Sequence, residues 1–462
     1  MSHEVVVIGG GLAGSEAAWQ AANAGASVTL YEMRPVVPTP VHQTGNLAEL
    51  VCSNSLKSNL LTNAAGLLKE EMRRLNSIII TAAEAASVPA GEALAVDRTL
   101  FAAAITERLE GHPNIKIVRE EAVAIDENRV HIVATGPLTS DTLAADIARL
   151  TGTSQLSFYD AIAPTIDAST IDRSKVFIQS RYDKGDAAYI NCPMNREEYD
   201  AFYQAVLGAE LAPQHDYETK VPYFEGCLPI EVLASRGPKT LSFGPMKPVG
   251  LVNPNTGRRP WAALQLRQEN LAATLYSMVG CQTRMKWGEQ KRIFRMIPGL
   301  ENAEFVRYGV MHRNTYIQSP KLLSDTLQMR EYPNIFFAGQ ITGVEGYVES
   351  AAVGILAGRN AARLTQDQSL ITLPNTTMLG ALIEHVAHYA GKDFQPMNSN
   401  WGIVPPLEER IRDKKEKARI MAERGLAALS TVPDLNLIIP PPAPITEAVT
   451  EETEPQEESV CA

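Results

Sequence analysis

Four residues near the start of the chain have the types and spacing of a dinucleotide-binding site. Gly9, Gly11 and Gly14 form a G-x-G-x-x-G pattern. In this pattern the first glycine makes a tight turn, the second lets the backbone approach a pyrophosphate, and the third lets a helix pack closely on a strand. Glu32 follows where a carboxylate would accept hydrogen bonds from the hydroxyls of an adenosine ribose. Because a carboxylate there disfavours the 2′-phosphate of NADP, the pattern favours FAD or NAD.

Apolar runs on both sides of this turn predict the elements that position it. Val5–Ile8 predicts a buried strand, Ser15–Ala24 a helix, and Ser27–Tyr31 a second strand. Unpaired N–H groups at the helix start would hold the phosphate anion. A glycine-rich turn that binds no ligand is the alternative, but it leaves the register of strand, turn, helix, strand and acid unexplained. Three further residues of the turn belong to the predicted cofactor site: Gly10, Leu12 and Ala13.

A second glycine turn, late in the chain, favours FAD over NAD. Asn334–Phe337 predicts a buried strand that runs into Gly339 and Gln340. This segment resembles the late strand that closes the FAD site of glutathione-reductase-type flavoproteins, where the position of Gln340 usually carries Asp. Tyr347 follows as a predicted cofactor contact, and then the small-residue stretch Ser350–Ala362 predicts a helix. Its start could stabilise negative charge on a reduced flavin; the alternative is an ordinary buried helix packed on the sheet.

These elements predict an α/β protein with a glutathione-reductase-type FAD-binding Rossmann domain and an inserted α/β domain. Asp97 is expected to cap a helix over Arg98–Leu109, and Arg129–Pro137 is expected to be a strand of the inserted domain. With one glycine fingerprint and not two, NAD(P)H would visit the flavin transiently. The predicted divisions are the first part of the FAD domain (1–96), the inserted domain (97–302), the second part with C-terminal helices (303–432) and a Pro-rich acidic disordered tail (433–462).

Composition indicates an enzyme of the cytoplasm. The 462 residues are 45% hydrophobic, which is enough for two or three domains with substantial cores. No apolar run approaches 18 residues, so we expect neither a membrane span nor a signal peptide. The five cysteines are scattered and odd in number, which is typical of free thiols in a reducing compartment. None forms C-x-x-C, so we expect no metal site.

The net charge of −11 disfavours nucleic acid at first sight, but the charge is unevenly distributed. More than half of the excess lies in the acidic tail, and positive residues cluster elsewhere. On a helix these could meet phosphates, or they could form a solvated face with internal ion pairs. The first cluster is Arg284, Lys286, Lys291, Arg292 and Arg295, with Trp287 and Phe294 among them; the second, on a predicted helix, is Arg410, Arg412, Lys414, Lys415, Lys417 and Arg419.

Two cysteines stand in segments that could carry chemistry. Cys52 precedes a polar cluster with Lys57 nearby, a setting that favours a thiolate. Cys227 stands in a segment bounded by Gly226 and Pro229, of the kind that forms a site loop. Taken alone, a single cysteine is more often a small buried hydrophobic residue than a catalytic one, so local context by itself favours a structural role for each.

At these residues the chain closely resembles the bacterial folate- and FAD-dependent tRNA (uracil-5-)-methyltransferases. The resemblance covers nearly all of residues 4–425. It implies that Cys52 and Cys227 are the catalytic thiols and that His312 lies beside the flavin where folate stacks. The segments that carry it are VVVIGGGLAGSEAAW, ELVCSNSLKSN, RVHIVATGPLTS, PYFEGCLPIEV, YGVMHRNTYI and FFAGQITGVEGYVESAA.

The implied activity is methylation of the T-loop uridine of tRNA, position 54, with methylenetetrahydrofolate as carbon donor, reduced FAD as hydride source and NAD(P)H as reductant. No membrane and no obligate protein partner are implied. Uracil C5 becomes nucleophilic only after a thiolate adds at C6, and either thiol could be that nucleophile while the other assists as base. Three alternatives stay open: a FAD oxidoreductase of a small molecule, a flavoprotein that modifies the tRNA wobble uridine, and a flavin-bearing RNA-binding protein without turnover.

Overall fold

The computed structural model describes residues 3–152, 156–183, 187–213, 228–391, 394–435 and 437. The strands are β1 (Glu4–Ile8), β2 (Ser27–Tyr31), β3 (Ser55–Ser58), β4 (Ser87–Val88), β5 (Ala93–Val96), β6 (Ile115–Val118), β7 (Val130–Val133), β8 (Leu156–Ala161), β9 (Thr165–Asp167), β10 (Phe177–Ile178), β11 (Tyr189–Met194), β12 (Ala262–Gln268), β13 (Leu275–Met278), β14 (Phe305–Arg307), β15 (Met311–Tyr316) and β16 (Ile335–Phe337). The helices are α1 (Leu12–Asn23), α2 (Ala64–Arg74), α3 (Ile78–Ala85), α4 (Arg98–Glu110), α5 (Asp141–Thr151), α6 (Arg196–Leu207), α7 (Ile230–Ser235), α8 (Thr240–Phe243), α9 (Trp287–Phe294), α10 (Ser319–Leu322), α11 (Tyr347–Thr365), α12 (Met378–His388) and α13 (Lys414–Ser430).

A parallel sheet of five strands forms the larger core, in the order β16-β7-β1-β2-β6. The central strand β1 is covered on both faces, and its four apolar residues from Val5 to Ile8 are at most 4% exposed. A strand buried on both faces reads as a continuous apolar run and not as an alternation, which is why this segment could be recognised in the sequence. The α/β class and the parallel Rossmann-type sheet predicted from the sequence are confirmed.

The membership of this sheet differs from the sequence prediction in one respect. β6 and β7 lie within 97–302, the range assigned to the inserted domain, yet β6 pairs with β2 and β7 lies between β1 and β16. Both pairings are parallel, so each strand extends the first sheet. β6 follows the helix α4, whereas β7 follows β6 through the described residues 119–129, which contain no helix. The first stretch of the parallel sheet therefore runs past residue 96 to Val133. Asp97 does cap α4, because its side chain accepts hydrogen bonds from the N–H groups of Thr99 and Leu100.

A six-stranded antiparallel sheet forms a second core, in the order β10-β11-β12-β13-β9-β14. Aromatic residues of α6 and α9 pack over it, including the fully buried Phe202 and Phe294. The antiparallel pair β8 and β15 stands apart from both large sheets. The parallel sheet contains β7, which precedes the second core in sequence, and β16, which follows it. The second core is therefore an insertion between two strands of the parallel sheet.

Close packing between α1 and α11 joins the two ends of the parallel-sheet unit. A Cβ placed on Gly354 or Gly358 would stand 2.3 Å from the carbonyl oxygen of Ala13 or Ala17, respectively. Small residues are therefore required at this helix crossing. Both helices start earlier than the sequence suggested, at Leu12 and Tyr347. In α1 the glycine of the first turn, Gly14, does not interrupt the helix, because the first N–H groups of a helix are unpaired in any case.

The basic segment near residue 410 is helical only in part. α13 begins at Lys414, and Asp413 caps it by accepting from the N–H of Glu416 at 2.7 Å, so Arg410 and Arg412 precede the helix. Arg419 pairs with Glu416 at 2.6 Å, as the solvated-face alternative predicts. Among the described helices, none combines the length and the apolar character that crossing a lipid bilayer requires.

Candidate functional site

A cleft of about 1040 Å³ opens where the carboxyl ends of the parallel strands meet the start of α1. This is the edge at which open α/β sheets bind ligands. Eight of the sequence-predicted cofactor residues line the cleft: Gly9, Gly10, Gly11, Leu12, Ala13, Glu32, Gln340 and Tyr347. Gly14 and Gly339 lie directly behind this lining, since Gly14 is the third residue of α1 and a Cβ on Gly339 would stand 2.6 Å from the Cβ of Ala13.

The three fingerprint glycines are needed for different reasons. Gly9 has φ +104°, which disfavours any side chain, and a Cβ on Gly14 would stand 1.8 Å from the carbonyl oxygen of Gly9. By contrast, a Cβ on Gly11 meets no atom within 4 Å among the described residues. The space at Gly11 is therefore open to a ligand, whereas the other two glycines are required by the fold itself.

Glu32 is held at the cleft wall by a buried ion pair. Its Oε1 accepts from Arg34 Nε at 2.9 Å, and its Oε2 accepts from the N–H of Gly10 at 2.9 Å. Burial raises the pKa of the Glu32 carboxyl, but the hydrogen bonds and charge of Arg34, together with two backbone N–H groups, outweigh burial and leave that pKa below its usual value. Glu32 is thus an anchored carboxylate. Sequence reasoning missed Arg34, because nothing in the fingerprint marks the residue two positions after the acid.

His42 is a second group at the cleft that the sequence did not reveal. It lines the cleft, and its Nδ1 lies 2.7 Å from the hydroxyl oxygen of Thr39. Burial, and then the nearby charge of Arg34, lower the pKa of His42 to about 4. The imidazole is therefore neutral at physiological pH and can donate or accept a hydrogen bond without adding charge.

The late glycine turn brings its own carboxyl group to the site. Gln340 begins a short 3-10 turn, Gln340–Thr342, and its Nε2 donates to Oε2 of Glu345 at 2.7 Å. Glu345 is 8% exposed. A carboxyl group, of the kind that glutathione-reductase-type flavoproteins usually carry at the Gln340 position, is therefore one hydrogen bond away, on Glu345.

Tyr347 connects the cleft to the loop that carries Cys52. The Tyr347 hydroxyl accepts hydrogen bonds from the backbone N–H groups of Cys52 at 2.6 Å and Ser53 at 3.3 Å. Burial raises the pKa of Tyr347 far above its ordinary value, so the hydroxyl stays neutral. The Sγ of Cys52 lies 3.8 Å from the carbonyl oxygen of Ala161 at the end of β8. The loop is therefore positioned from both sides by described residues.

Three arginines hold this loop, two through its backbone and one through a side chain. Arg98 donates to the carbonyl oxygens of Leu50 at 3.1 Å and Cys52 at 3.3 Å, and Arg307 donates to that of Val51 at 2.9 Å. Arg267 donates to the Ser53 hydroxyl at 2.7 Å. The arginines come from α4, β14 and β12, which are remote in sequence. This is why sequence reasoning did not find them.

The charges around Cys52 differ from the expectation that Lys57 supplies them. Lys57 Nζ is 2.6 Å from Oε1 of the buried Glu349, so its charge is matched by a carboxylate. Burial lowers the pKa values of Arg267 and Arg307, and the charge of Glu269 partly offsets this for both; the interaction with Cys52 also raises both pKa values, by a smaller amount. The cations that interact with the thiol are therefore arginines.

Of the two remaining predicted site residues, the structure describes the backbone of one, His312, and does not cover the other, Cys227. His312 lies on β15 opposite Asp160, and its side chain is outside the described part of the chain. Cys227 lies outside the described residues. Cys192 and Cys281 are fully buried, and burial raises the pKa of each thiol well above its usual value. These two cysteines are thus core residues.

The parallel sheet, the glycine turn and the late turn that meets it define a dinucleotide-binding α/β fold of the flavoprotein type. The family model described as glucose inhibited division protein A matches residues 4–369. The chain therefore belongs to that family, and the resemblance expected from the sequence is confirmed. A solved structure of Aquifex aeolicus GidA is similar in fold, with a TM-score of 0.66 at 18% identity, covering 93% of this chain and 75% of that one.

Similarity over nearly the whole chain extends to a more specific group. The relative from Enterococcus faecalis, called methylenetetrahydrofolate--tRNA-(uracil-5-)-methyltransferase TrmFO, is 61% identical over 92% of this chain and 98% of its own length. A protein of the same name from Pelotomaculum thermopropionicum is 59% identical over 92% of this chain and 97% of its own. The resemblance to the folate- and FAD-dependent tRNA (uracil-5-)-methyltransferases, which the sequence motifs indicated, is therefore confirmed.

Proposed function

We propose that this protein methylates C5 of a uridine in tRNA, with methylenetetrahydrofolate as the carbon donor. The observation that carries the proposal is the Cys52 loop, which three arginines and the Tyr347 hydroxyl hold at the wall of the dinucleotide cleft. A reactive thiol beside a cofactor cleft is what C5 chemistry on uracil needs. The names of the relatives at 61% and 59% identity point to the same reaction.

FAD fits the cleft by the character of its lining. The first N–H groups of α1 face a space that a Cβ at Gly11 would occupy, which suits a pyrophosphate. Four donor atoms surround the two oxygens of Glu32, the longest contact being 3.2 Å from Arg34 Nη2. A ribose hydroxyl would replace that contact, because a carboxylate has about four acceptor sites. When bound and reduced, FAD would supply the hydride for the methyl group.

Cys52 would act on the pyrimidine ring. Addition of a thiolate, from Cys52 or from Cys227, at uracil C6 would place negative charge on C5 and its neighbouring carbonyl, and C5 would then bond to the methylene carbon carried by folate. Loss of the C5 proton and cleavage of the carbon–nitrogen bond would release tetrahydrofolate, and addition of hydride to the methylene carbon with departure of the thiolate would give 5-methyluracil. Cys227 would share this work with Cys52, as nucleophile or as base. His312 would lie where folate stacks.

Finer features of the proposal rest on the resemblance. The target would be the T-loop uridine at position 54, turned out of the RNA to reach the thiol. NAD(P)H would reduce the flavin, and the protein would work in the cytoplasm with no obligate protein partner, because its substrates are a tRNA and small molecules. We also propose the predicted domain organisation, in which a FAD-binding domain is interrupted by an inserted domain. The first part of the FAD-binding domain then extends to Val133, the end of the parallel strand β7.

Tritium release from tRNA labelled at uridine C5 tests the reaction. We expect release only when methylenetetrahydrofolate and a reductant are both present, since the C5 proton leaves only after carbon transfer. A small-molecule oxidoreductase would oxidise NAD(P)H without tritium release, and a wobble-uridine enzyme would retain the T-loop label. Absence of release from a folded protein with full flavin content would contradict the proposal.

A further inference from the structure

An aromatic ladder reaches the surface at the start of α9. The ring of Trp287 stacks on Tyr308 with 5.3 Å between centroids and 11° between planes, and Tyr308 stacks on Phe305 at 5.3 Å and 9°. Phe305 in turn contacts the fully buried Phe294 at 6.4 Å. The ladder therefore anchors its outermost ring to the second core.

Trp287 is 62% exposed although one of its faces is covered by Tyr308. Leaving so large an apolar ring in water forgoes hydrophobic stabilisation, and such exposure is typical of an interaction site. A rigid, flat, exposed ring suits the face of a nucleobase, because every base offers a π surface of matching shape.

Positive charge surrounds this ring. Lys286 directly precedes it, Lys291 lies about one helical turn further along α9, and Arg292 follows Lys291. Two of these cations form ion pairs, Lys286 with Glu210 at 2.8 Å and Arg292 with Glu289 at 2.7 Å. Exposed ion pairs of this kind contribute little to stability, so an RNA phosphate can replace the carboxylate at little loss.

The ladder is also connected to the Cys52 loop. Tyr308 directly follows Arg307, whose guanidinium donates to the carbonyl oxygen of Val51 at 2.9 Å. One arginine side chain and one peptide unit thus separate the aromatic ladder from the residue preceding Cys52. An RNA strand with one base at the thiol would pass over this region.

We propose that Trp287 is a stacking platform for an unpaired base of the substrate RNA, beside the base that reacts. The inference rests on the proposed function, since it takes tRNA as the ligand. It assigns the first basic cluster, and not the segment near residue 410, to RNA contact.

The test compares Trp287→Ala and Trp287→Phe with Trp261→Ala. Trp261 is a matched control, because it is also exposed, at 45%, but packs under Arg196 instead of on an aromatic ladder. Binding of unmodified tRNA is measured by filter retention without folate or reductant, and flavin content and thermal unfolding are recorded for each variant. We expect Trp287→Ala to bind tRNA about 5- to 150-fold more weakly, Trp287→Phe to recover most of the affinity, and Trp261→Ala to match the wild type.

Tryptophan emission supplies a second measurement. Stacking on a base should quench emission in the wild type, and this quenching should be missing in Trp287→Phe. Equal tRNA affinity in the wild type and Trp287→Ala, or equal losses at Trp287 and Trp261, would overturn the inference, as would a wild type that does not bind tRNA. If the wild type binds tRNA but releases no tritium, the proposed reaction fails while the binding comparison still decides the role of Trp287.

Discussion

Gly11→Val separates cofactor binding from folding at the glycine turn. The backbone at Gly11 has φ −72° and ψ −169°, a region open to any L-residue, and a Cβ there meets no described atom within 4 Å. We therefore expect the flavin-free variant to unfold within about 1 kcal/mol of the wild type, with a slight gain because valine restricts the unfolded chain more than glycine does.

The same substitution should weaken FAD binding strongly. The side chain would occupy the space through which backbone N–H groups reach the pyrophosphate, and a hydrogen bond to a charged group contributes about 1.5–3 kcal/mol. Loss of one such bond weakens binding about 10- to 150-fold. Titration of flavin-free protein with FAD, followed by flavin fluorescence, measures the effect.

Gly14→Ala is the contrasting variant. Its Cβ would stand 1.8 Å from the carbonyl oxygen of Gly9, so both stability and FAD binding should fall. A Gly11→Val protein that binds FAD within twofold of the wild type would refute the assignment of this cleft to the pyrophosphate, whatever Gly14→Ala shows.

Three further predictions address the thiols, the loop and stability. Cys52→Ala and Cys227→Ala should each abolish tritium release while FAD content stays normal; full activity in either variant would return that cysteine to a structural role. Arg307→Ala should lower kcat more than it raises the KM for tRNA, with partial recovery in Arg307→Lys, because the arginine holds the carbonyl of Val51; a change in KM alone would contradict this positioning role. Burial raises the pKa of Glu71 to about 7, so the folded protein retains a proton that the unfolded chain loses near pH 4.5, and the contribution of Glu71 to stability should fall as pH rises from 4.5 to 7. That fall is on the order of 3 kcal/mol and should disappear in Glu71→Gln when urea unfolding is followed across this range; an unchanged pH profile would show that Glu71 ionises normally.

The parts of the site that the sequence revealed are those encoded by local spacing. The turn at Gly9 requires glycine for reasons confined to a few neighbours, and the late turn at Gly339 follows a fully apolar strand. The Asp97 cap is equally local, since its partners lie two and three residues away. Such features can be recognised without knowing the tertiary fold.

The parts that were missed depend on contacts between distant segments. Arg267 reaches a loop more than 200 residues away in sequence, and no periodicity marks it. Proximity in sequence was also an incomplete guide, because the ion pair of Lys57 is with Glu349, 292 residues away. The strand β7 was assigned to the wrong unit for a related reason, since a short apolar run does not specify which sheet it joins.

The Cys52 loop is held by residues from both cores of the protein. Arg98 belongs to a helix beside the parallel sheet, whereas Arg267 and Arg307 belong to strands of the antiparallel sheet. A chain in which only the first sheet had folded would leave the loop with one of these three guanidinium partners. The orientation of the thiol therefore depends on both cores at once. The glycine turn and Glu32 lie within the first unit, so a change in how the two cores pack together would affect the cysteine without altering these parts of the cleft.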